Sequence, residues 1–331
     1  MKKITYQDIA KKTGISIATI SRIVKGNSVV SKEKSQQVLD AMKELGYEIP
    51  SDRTLSKEKS NVILVHFSSI SNPYYNGIIK GIKQKAYTDG YKVVLHEQVK
   101  NLTDSANTTE LLELIKESKV AGVISTISLP SAERIQALVP LVQCSEKSSG
   151  NSIPYVSIDD VQSACKAVEL LIFHGNKKIA IVNGPLFYRY AVDRLKGYET
   201  ALANAGLEID PNFVISLSDI NYDIAYSAVN QMFSKGKYPD AVFTVSDVIA
   251  TVVIRIAKQH GLNVPKDVEV VGFDNIDVSR IYTPSITTVS QPCYQMGLNS
   301  CEMLIEIIEH GYTAAKSLLL PTELILREST R

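Results

Sequence analysis

Residues 4–24 read Ile-Thr-Tyr-Gln-Asp-Ile-Ala-Lys-Lys-Thr-Gly-Ile-Ser-Ile-Ala-Thr-Ile-Ser-Arg-Ile-Val, and this stretch decides the fold of the N-terminal part. Thr5 followed three residues later by Asp8 is typical of a helix start. Gly14 can take the positive φ that ends this helix, and Ser16 can cap a second one. The spacing therefore predicts two short amphipathic helices joined by a glycine turn, which is a helix-turn-helix.

The outward face of the second helix carries short side chains and one arginine: Ile17, Ala18, Thr19, Ser21 and Arg22. A helix of this kind fits the major groove of DNA, where Arg22 can pair bidentately with guanine. Ile17 and Ala18 can contact thymine methyl groups, while hydroxyls and lysines hold phosphates. We therefore predict DNA contacts from this face and also from Thr5, Tyr6, Ser16, Lys25 and Ser31.

A third helix is expected after Ser31, because Val38, Ala41, Met42 and Leu45 recur at helical spacing. Gly46 should end this helix, and Tyr47 should pack back onto it. Residues 1–47 are thus expected to form an all-α helix-turn-helix head.

Several motifs resemble the DNA-binding head of the lactose-repressor (LacI/GalR) family: Ile9-Ala10, Gly14-Ile15-Ser16, Thr19-Ile20-Ser21-Arg22, and Val30-Ser31 to Leu45-Gly46-Tyr47. The resemblance extends over nearly the whole chain. It implies a DNA-binding head followed by an α/β body with two lobes, similar to a periplasmic binding protein.

Residues 48–60 are polar and are expected to form a hinge or linker. In the family this segment is a helix that pushes a leucine into the minor groove. Here Pro50 comes one residue late, the Ala-Arg pair of the family pattern is missing, and Leu55 is the only candidate wedge. Wedging by Leu55 and a flexible tether both remain open.

In residues 61–331, short apolar runs alternate with amphipathic segments of helical length. Apolar runs that are buried on both faces are typical of parallel sheets covered by helices. The runs are Val62–Val65, Val93–Leu95, Val120–Ile124, Ile179–Val182, Ala241–Phe243 and Val268–Val271. The resemblance divides this body into an N-lobe, about 61–159 and 292–320, and a C-lobe, about 160–291 and 321–331, with crossings near Asp159, near Gln291 and before Pro321.

Ligands bind beyond the carboxyl ends of parallel strands, so the polar residues after each run are candidate ligand contacts. They are Ser68, Ser125, Ser145, Glu146, Ser246, Asp247 and Asp274. The resemblance adds Tyr74, Tyr75, Arg194 and Gln291. Ile220 stands where the family often places an aromatic residue, so Tyr222 or Tyr74 would supply the aromatic face instead. Gly197 has no reason of helix propensity to stand beside Arg194, which predicts a close-packing position.

Composition narrows the class of protein. Residues 1–60 hold 12 Lys and Arg against 7 Asp and Glu, whereas the rest holds 24 against 28, so the head is basic and the body mildly acidic.

No nucleophile with a base, no carboxylate pair and no phosphate-binding glycine loop occurs at a recognisable spacing, so we expect no enzyme and no cofactor or metal. The four cysteines are expected to be buried free thiols. Short apolar runs and the lack of an export leader favour a cytoplasmic protein.

These features together predict a ligand-responsive transcriptional regulator, most simply a repressor. Its expected partners are a pseudo-palindromic double-stranded DNA operator, a second copy of the chain in a homodimer, and a small effector bound between the lobes. A sugar or sugar derivative is favoured as the effector. Two alternatives stay open: a nucleoside- or purine-responsive regulator of the same family, and a solute-binding protein without a DNA role. A co-regulator protein is a further candidate partner.

Overall fold

The computed structural model describes residues 4–24, 31–45, 47, 60–98, 104–129, 132–147, 153–234, 236–312 and 317–331. The chain divides into two compact units, Met1–Ser60 and Asn61–Arg331. In these described ranges, no helix has the length and hydropathy needed to cross a membrane.

The described residues of the first unit form three helices, α1 (Tyr6–Thr13), α2 (Ile17–Val24) and α3 (Lys32–Leu45). At the start of α1, the Asp8 carboxylate accepts hydrogen bonds from the Thr5 N–H at 2.8 Å and the Thr5 hydroxyl at 2.7 Å. Gly14 ends α1 with a φ of 69°, and its N–H donates to Ala10 O at 2.9 Å. This confirms the predicted helix-turn-helix.

The inward faces of the three helices form one small core. Its buried members are Ile9, Ile20, Ile23, Val38, Ala41 and Met42. Tyr47 packs back on this core as expected, with its ring centroid 5.8 Å from that of Tyr6. Gly46, which is predicted to end the third helix, and residues 48–59 of the predicted linker lie outside the described residues.

The second unit is built from alternating strands and helices. Its strands are β1 (Val62–Phe67), β2 (Lys92–Glu97), β3 (Gly122–Ser125), β4 (Leu141–Cys144), β5 (Tyr155–Ile158), β6 (Ile179–Asn183), β7 (Val214–Ser216), β8 (Ala241–Thr244), β9 (Glu269–Asp274), β10 (Thr287–Ser290), β11 (Ser317–Leu320) and β12 (Glu323–Ile325). Its α-helices are α4 (Tyr74–Thr88), α5 (Asp104–Ser118), α6 (Ala132–Gln136), α7 (Asp160–Phe173), α8 (Arg189–Asn204), α9 (Tyr222–Ser234), α10 (Asp247–Gln259), α11 (Val278–Ile281) and α12 (Cys293–His310).

The strands form two six-stranded sheets, with the orders β11-β5-β4-β3-β1-β2 and β12-β10-β9-β8-β6-β7. Among the strands that the structure describes, all pairings are parallel except that of β10 with the edge strand β12. The chain passes between the sheets at Asp159, at Gln291 and at Pro321. The body is therefore a two-lobed α/β fold, as the sequence predicts.

Glycines allow two helix pairs to approach closely. A Cβ at Gly297 of α12 would lie 2.0 Å from Ile78 O of α4. A Cβ at Gly197 of α8 would lie 2.3 Å from Val161 O of α7, which explains this glycine as a close-packing position. These contacts fix α12 on α4 in one lobe and α8 on α7 in the other.

One expectation about burial is wrong. The run Val93–Leu95 lies in β2, at the edge of its sheet, where Val94 is 42% and Leu95 is 40% exposed. An edge strand has only one neighbouring strand, so its burial depends on which other elements cover it. The apolar run itself does not indicate whether such a cover exists. The four cysteines are free, Cys144 and Cys301 buried and Cys165 and Cys293 partly exposed, so the expected burial holds for only two of them.

Candidate functional site

The outward face of α2 carries the candidate DNA contacts. Ile17 is 44% exposed, and Ser16 and Ala18 are exposed as well, whereas Thr19 and Ser21 are half-buried. The Ser16 hydroxyl accepts from the Thr19 N–H at 3.2 Å and lies 2.8 Å from the Thr19 hydroxyl. This places short polar and apolar side chains on one accessible face.

The side chain of Arg22, and all of Lys25 and Leu55, lie outside the described part of the chain. Ser31 is exposed and directly precedes α3, and its carbonyl oxygen accepts from the Ser35 N–H at 3.1 Å. Thr5 is exposed, and Tyr6 is half-buried against Tyr47. Contact of these residues with DNA stays a prediction.

In the second unit, a cleft of about 670 Å³ opens between the carboxyl ends of the two sheets. Strand ends of both sheets supply its walls, which is where open parallel sheets place their ligands. Eleven of the thirteen candidate ligand residues line it: Ser68, Tyr74, Tyr75, Ser145, Glu146, Arg194, Ile220, Tyr222, Ser246, Asp274 and Gln291. Their contact with a ligand stays a prediction.

Arg194 is held rigidly at the C-lobe wall. Its Nε donates to Asp160 Oδ1 at 2.8 Å and its Nη1 donates to Val245 O at 2.8 Å. The guanidinium carbon lies 3.5 Å from the centroid of the Phe273 ring, and a second ring, Tyr190, lies at 4.9 Å. Burial of a charged group without such partners would be costly, so this set of contacts fixes the guanidinium in place.

A chain of hydrogen bonds crosses from one lobe to the other. The Tyr74 hydroxyl is 2.9 Å from Ser145 Oγ and 3.2 Å from Gln291 Oε1. Gln291 Nε2 donates to Asp274 Oδ1 at 2.7 Å, and Arg194 Nη1 lies 3.9 Å from the same oxygen. The cleft floor is therefore a connected set of donors and acceptors that draws on both lobes and on the crossover residue.

Asp274 is presented to the cleft by an unusual backbone. Its φ is 107°, followed by 57° at Asn275, and such values persist only where the surroundings hold them. Burial raises the pKa of Asp274 to about 7, and the Arg194 guanidinium opposes this rise. A carboxyl group in this setting can donate or accept a hydrogen bond near neutral pH.

Glu146 connects the lobes directly. Its side chain, 4% exposed, follows β4 of one sheet, and its two carboxylate oxygens accept from the backbone N–H groups of Arg189 and Tyr190, each at 3.1 Å. These N–H groups begin α8 of the other lobe, where the helix dipole favours an anion. Burial raises the pKa of Glu146 to about 7, against the effect of these two hydrogen bonds. We describe this contact as the Glu146 latch.

Two candidate residues do not reach the cleft. The Ser125 hydroxyl is buried and donates to Ile127 O at 2.8 Å, closing a local turn after β3. Asp247 is buried and accepts from the Thr288 hydroxyl at 2.6 Å and from the Ile276 N–H at 2.9 Å. Asp247 therefore anchors the turn that follows Asp274, and its effect on the cleft is indirect.

The cleft also contains residues that sequence reasoning missed. Phe187, Tyr188 and Tyr190 line the C-lobe wall, and none of the three is among the predicted ligand contacts. Their signal was available, since three aromatic residues in four positions follow the end of β6. Asp160, the partner of Arg194, is a further residue that the strand-end pattern does not select: it begins α7, with Asp159 as the cap that accepts from the Gln162 N–H at 2.9 Å.

Acidic side chains outnumber basic ones among the described residues that line the cleft. Among the described lining residues, Arg194 is the single cation, whereas Glu146, Asp219 and Asp274 carry carboxyl groups. In the described ranges, no group of three or more His, Cys, Asp or Glu side chains could hold a metal ion. The geometry supports binding of a hydroxylated molecule through paired donors and acceptors.

A helix-turn-helix unit followed by a two-lobed body with a polar cleft defines a ligand-responsive, DNA-binding regulator. Residues 5–50 match the model of bacterial regulatory proteins of the lacI family, and residues 59–328 match that of periplasmic binding proteins and the sugar binding domain of the LacI family. The chain belongs to the LacI family of transcriptional regulators.

Individual relatives span the whole chain. The HTH-type transcriptional repressor CytR of Escherichia coli (strain K12) is 33% identical, over 99% of this chain and 96% of that protein. A structure of the transcriptional regulator CelR in complex with cellobiose is 29% identical, with a TM-score of 0.75 over 98% of this chain and 99% of the other. The lac repressor dimer bound to operator and the anti-inducer ONPF is 27% identical, with a TM-score of 0.75 over 99% of both chains.

Proposed function

We propose that the cleft binds a neutral, hydroxylated effector, a sugar or sugar derivative, and that this binding changes the affinity of the head for its operator. The hydrogen-bonded chain from Ser145 through Tyr74 and Gln291 to Asp274 carries the proposal. A sugar hydroxyl both donates and accepts, so it can insert into such a chain without leaving a buried polar group unpaired.

The charge of the cleft favours a neutral effector over a phosphorylated one. Arg194 already contacts Asp160, Asp274 and a backbone carbonyl, and the remaining charged lining groups that the structure describes are acidic. A phosphate would meet these carboxyl groups at short range in a medium of low dielectric constant. The cellobiose bound to the related CelR supports a neutral sugar.

The regulatory mechanism follows from linkage. An effector that contacts both lobes binds one lobe arrangement better than another, so it shifts the population between them. The Glu146 latch joins the lobes beside the cleft. A change in the arrangement of the lobes would therefore form or break its two hydrogen bonds. A tenfold change in operator affinity requires about 1.4 kcal/mol of coupling.

The working unit in this proposal is a homodimer on a pseudo-palindromic operator. The related lac repressor binds its operator as a dimer. In this chain, exposed apolar side chains of β2 (Val94 and Leu95) and of α4 (Tyr87, 84% exposed) offer a surface that a second copy would cover. Binding to chromosomal DNA places the protein in the cytoplasm, in a regulatory and not a catalytic role.

For DNA recognition, we assign guanine readout to Arg22, apolar base contact to Ile17 and Ala18, and minor-groove insertion to Leu55. Phosphate contacts are assigned to Thr5, Tyr6, Ser16, Thr19, Ser21, Lys25 and Ser31. The proposed boundaries are 1–47 for the head, 48–60 for the hinge and 61–331 for the effector-binding body.

Thermal unfolding with a panel of neutral sugars, sugar phosphates, nucleosides and purines tests the effector class, because a ligand of the native body raises its melting temperature. We expect a rise with a neutral sugar or sugar derivative, lost in Asp274→Asn. Asp267→Asn is the matched control, since Asp267 is an exposed aspartate of the same lobe. A rise only with sugar phosphates would contradict the proposal, and no rise with any compound would favour control by a partner protein.

A further inference from the structure

Aromatic side chains cover one part of the C-lobe side of the cleft. The Phe187 and Tyr188 ring centroids are 4.4 Å apart, and the Tyr188 and Tyr190 rings are stacked at 5.5 Å with planes 20° apart. Tyr222 also lines the cleft and stacks on Tyr226 at 6.0 Å. We call Phe187, Tyr188, Tyr190 and Tyr222 the aromatic wall.

The aromatic wall begins where the polar floor ends. Tyr190 lies against the Arg194 guanidinium at 4.9 Å, so it belongs to both regions. Tyr188 is half-buried, and Phe187 is 75% exposed, so exposure increases away from Arg194. The cleft is thus polar at Asp274 and Gln291 and aromatic toward its mouth.

Backbone geometry makes room for this wall. A Cβ at Gly184 would lie 2.6 Å from the Tyr190 hydroxyl and 3.2 Å from Ile220 Cδ1. Glycine at position 184, directly after β6, therefore leaves the space that the Tyr190 hydroxyl occupies. Three residues of the aromatic wall lie at positions 187–190 and the fourth is Tyr222, while position 220 of the same lobe carries an isoleucine.

The size of the cleft matches a ligand with two parts. Its 670 Å³ lies within the range of cavities that hold drug-sized molecules, which is more than one sugar ring fills. A flat apolar group that covers an exposed phenylalanine at the mouth of a cleft buries apolar surface, which makes the free energy of binding more favourable. Stacking of the two rings contributes further.

We propose that the effector carries two rings: a hydroxylated ring held at Asp274 and Gln291, and a flat aromatic or apolar ring that lies on the aromatic wall. Nucleosides and aryl glycosides share this chemistry. The inference rests on the proposed function, because it assumes that a hydroxylated ring binds the polar floor.

Calorimetric titration of the full-length protein tests it with matched pairs: D-ribose against adenosine, cytidine and uridine, and glucose, galactose and xylose against their phenyl β-glycosides. We expect at least one two-ring compound to bind about tenfold or more tightly than its free sugar. The series in which this occurs distinguishes a nucleoside from an aryl glycoside.

Variants locate the second ring. In Phe187→Ala and Tyr188→Ala, the advantage of the two-ring compound over its free sugar should fall below twofold. Phe173→Ala is the matched control, because Phe173 is 86% exposed at the end of α7 and does not line the cleft, and it should keep the full advantage. Phe187 is largely exposed, so its loss should not unfold the protein.

The outcomes separate this inference from the proposed function. If the free sugars bind as tightly as all their two-ring partners, the proposed binding of a second ring is wrong and the proposed sugar site is unaffected. The same conclusion follows if the two-ring compound keeps its tighter binding in both Phe187→Ala and Tyr188→Ala. Failure of every compound in both series to bind would overturn the proposed function and this inference together.

Discussion

The Glu146 latch should make effector binding depend on pH. Burial in the observed lobe arrangement raises the pKa of Glu146 to about 7 from an ordinary 4.5. If the lobes separate, the carboxyl group is hydrated and its pKa returns toward the ordinary value. The observed arrangement, which we call closed because Glu146 joins the two lobes in it, then takes up a proton relative to separated lobes. Glu146 therefore favours closure at low pH and loses this contribution as the pH rises through 7.

The magnitude follows from the two pKa values. Between pH 6 and pH 8, the contribution of Glu146 to the closure equilibrium falls about tenfold, or about 1.4 kcal/mol. An effector that requires closure should therefore bind about tenfold more weakly at pH 8 because of this one group. Asp274, whose pKa is also raised to about 7, adds a second dependence through its own contact with the effector.

Glu146→Gln isolates the contribution of the latch. The amide is neutral throughout, and its oxygen can still accept from one of the two N–H groups of α8. The ratio of Kd at pH 8 to Kd at pH 6 should be about tenfold smaller in the variant than in the wild type. Asp274 is present in both proteins, so its effect cancels in this comparison.

Isothermal titration calorimetry at pH 6, 7 and 8 measures the ratio, and buffers with different ionisation enthalpies count the protons taken up. Glu199→Gln, an exposed position on the same helix α8, is the control and should behave as the wild type. Ratios within twofold of each other in wild type and Glu146→Gln would refute the latch as a titrating interlobe contact.

Two further predictions concern the head and the core. Arg22→Ala should cost about 1–3 kcal/mol in binding to the specific operator and much less on random DNA, measured by fluorescence anisotropy; equal losses would exclude base readout. Burial, reinforced by neighbouring His96, lowers the pKa of His66 to about 4 from 6.5, so the unfolded chain takes up this proton first as the pH falls. Urea unfolding should therefore show the wild type losing about 2 kcal/mol more than His66→Gln between pH 7.5 and pH 5. Equal losses in both proteins would show that His66 titrates normally in the folded state.

The head could be predicted almost residue by residue because its signals are local. Each signal concerns residues a few positions apart: the Thr5–Asp8 pair begins α1, Gly14 ends it, and Ile20 and Ile23 are spaced for one buried helix face. The α/β class could also be predicted, because both-face burial leaves continuous apolar runs. The strands β5 and β10 could not be predicted, since they contain Ser157, Thr287 and Thr288, whose hydroxyls bond to groups 12 to 43 residues away in the sequence.

The strand-end rule placed the cleft but not the direction of every side chain. Ser125 ends β3 and Asp247 follows β8, at strand ends like Ser145 and Ser246, yet their side chains form hydrogen bonds with buried groups of the protein itself. Direction at a strand end depends on one or two backbone angles, such as the positive φ of Asp274, which are set by tertiary contacts. The pattern of strand ends therefore locates a site better than it selects the members of that site.

The three crossings between lobes also set the order in which the molecule can be completed during synthesis. β5 can pair with its neighbour β11 only after β11 has been synthesised, about 160 residues later. β12, which completes the second sheet, is synthesised after that. At ribosomal rates of ~5–20 residues per second, this delay lasts roughly 8–30 seconds. During that interval the edge of β5 that pairs with β11 is uncovered, and the surface of α4 around Ile78 waits for Gly297 of α12. A nonsense mutation near codon 300 would leave both lobes unfinished and would therefore remove the whole effector-binding body.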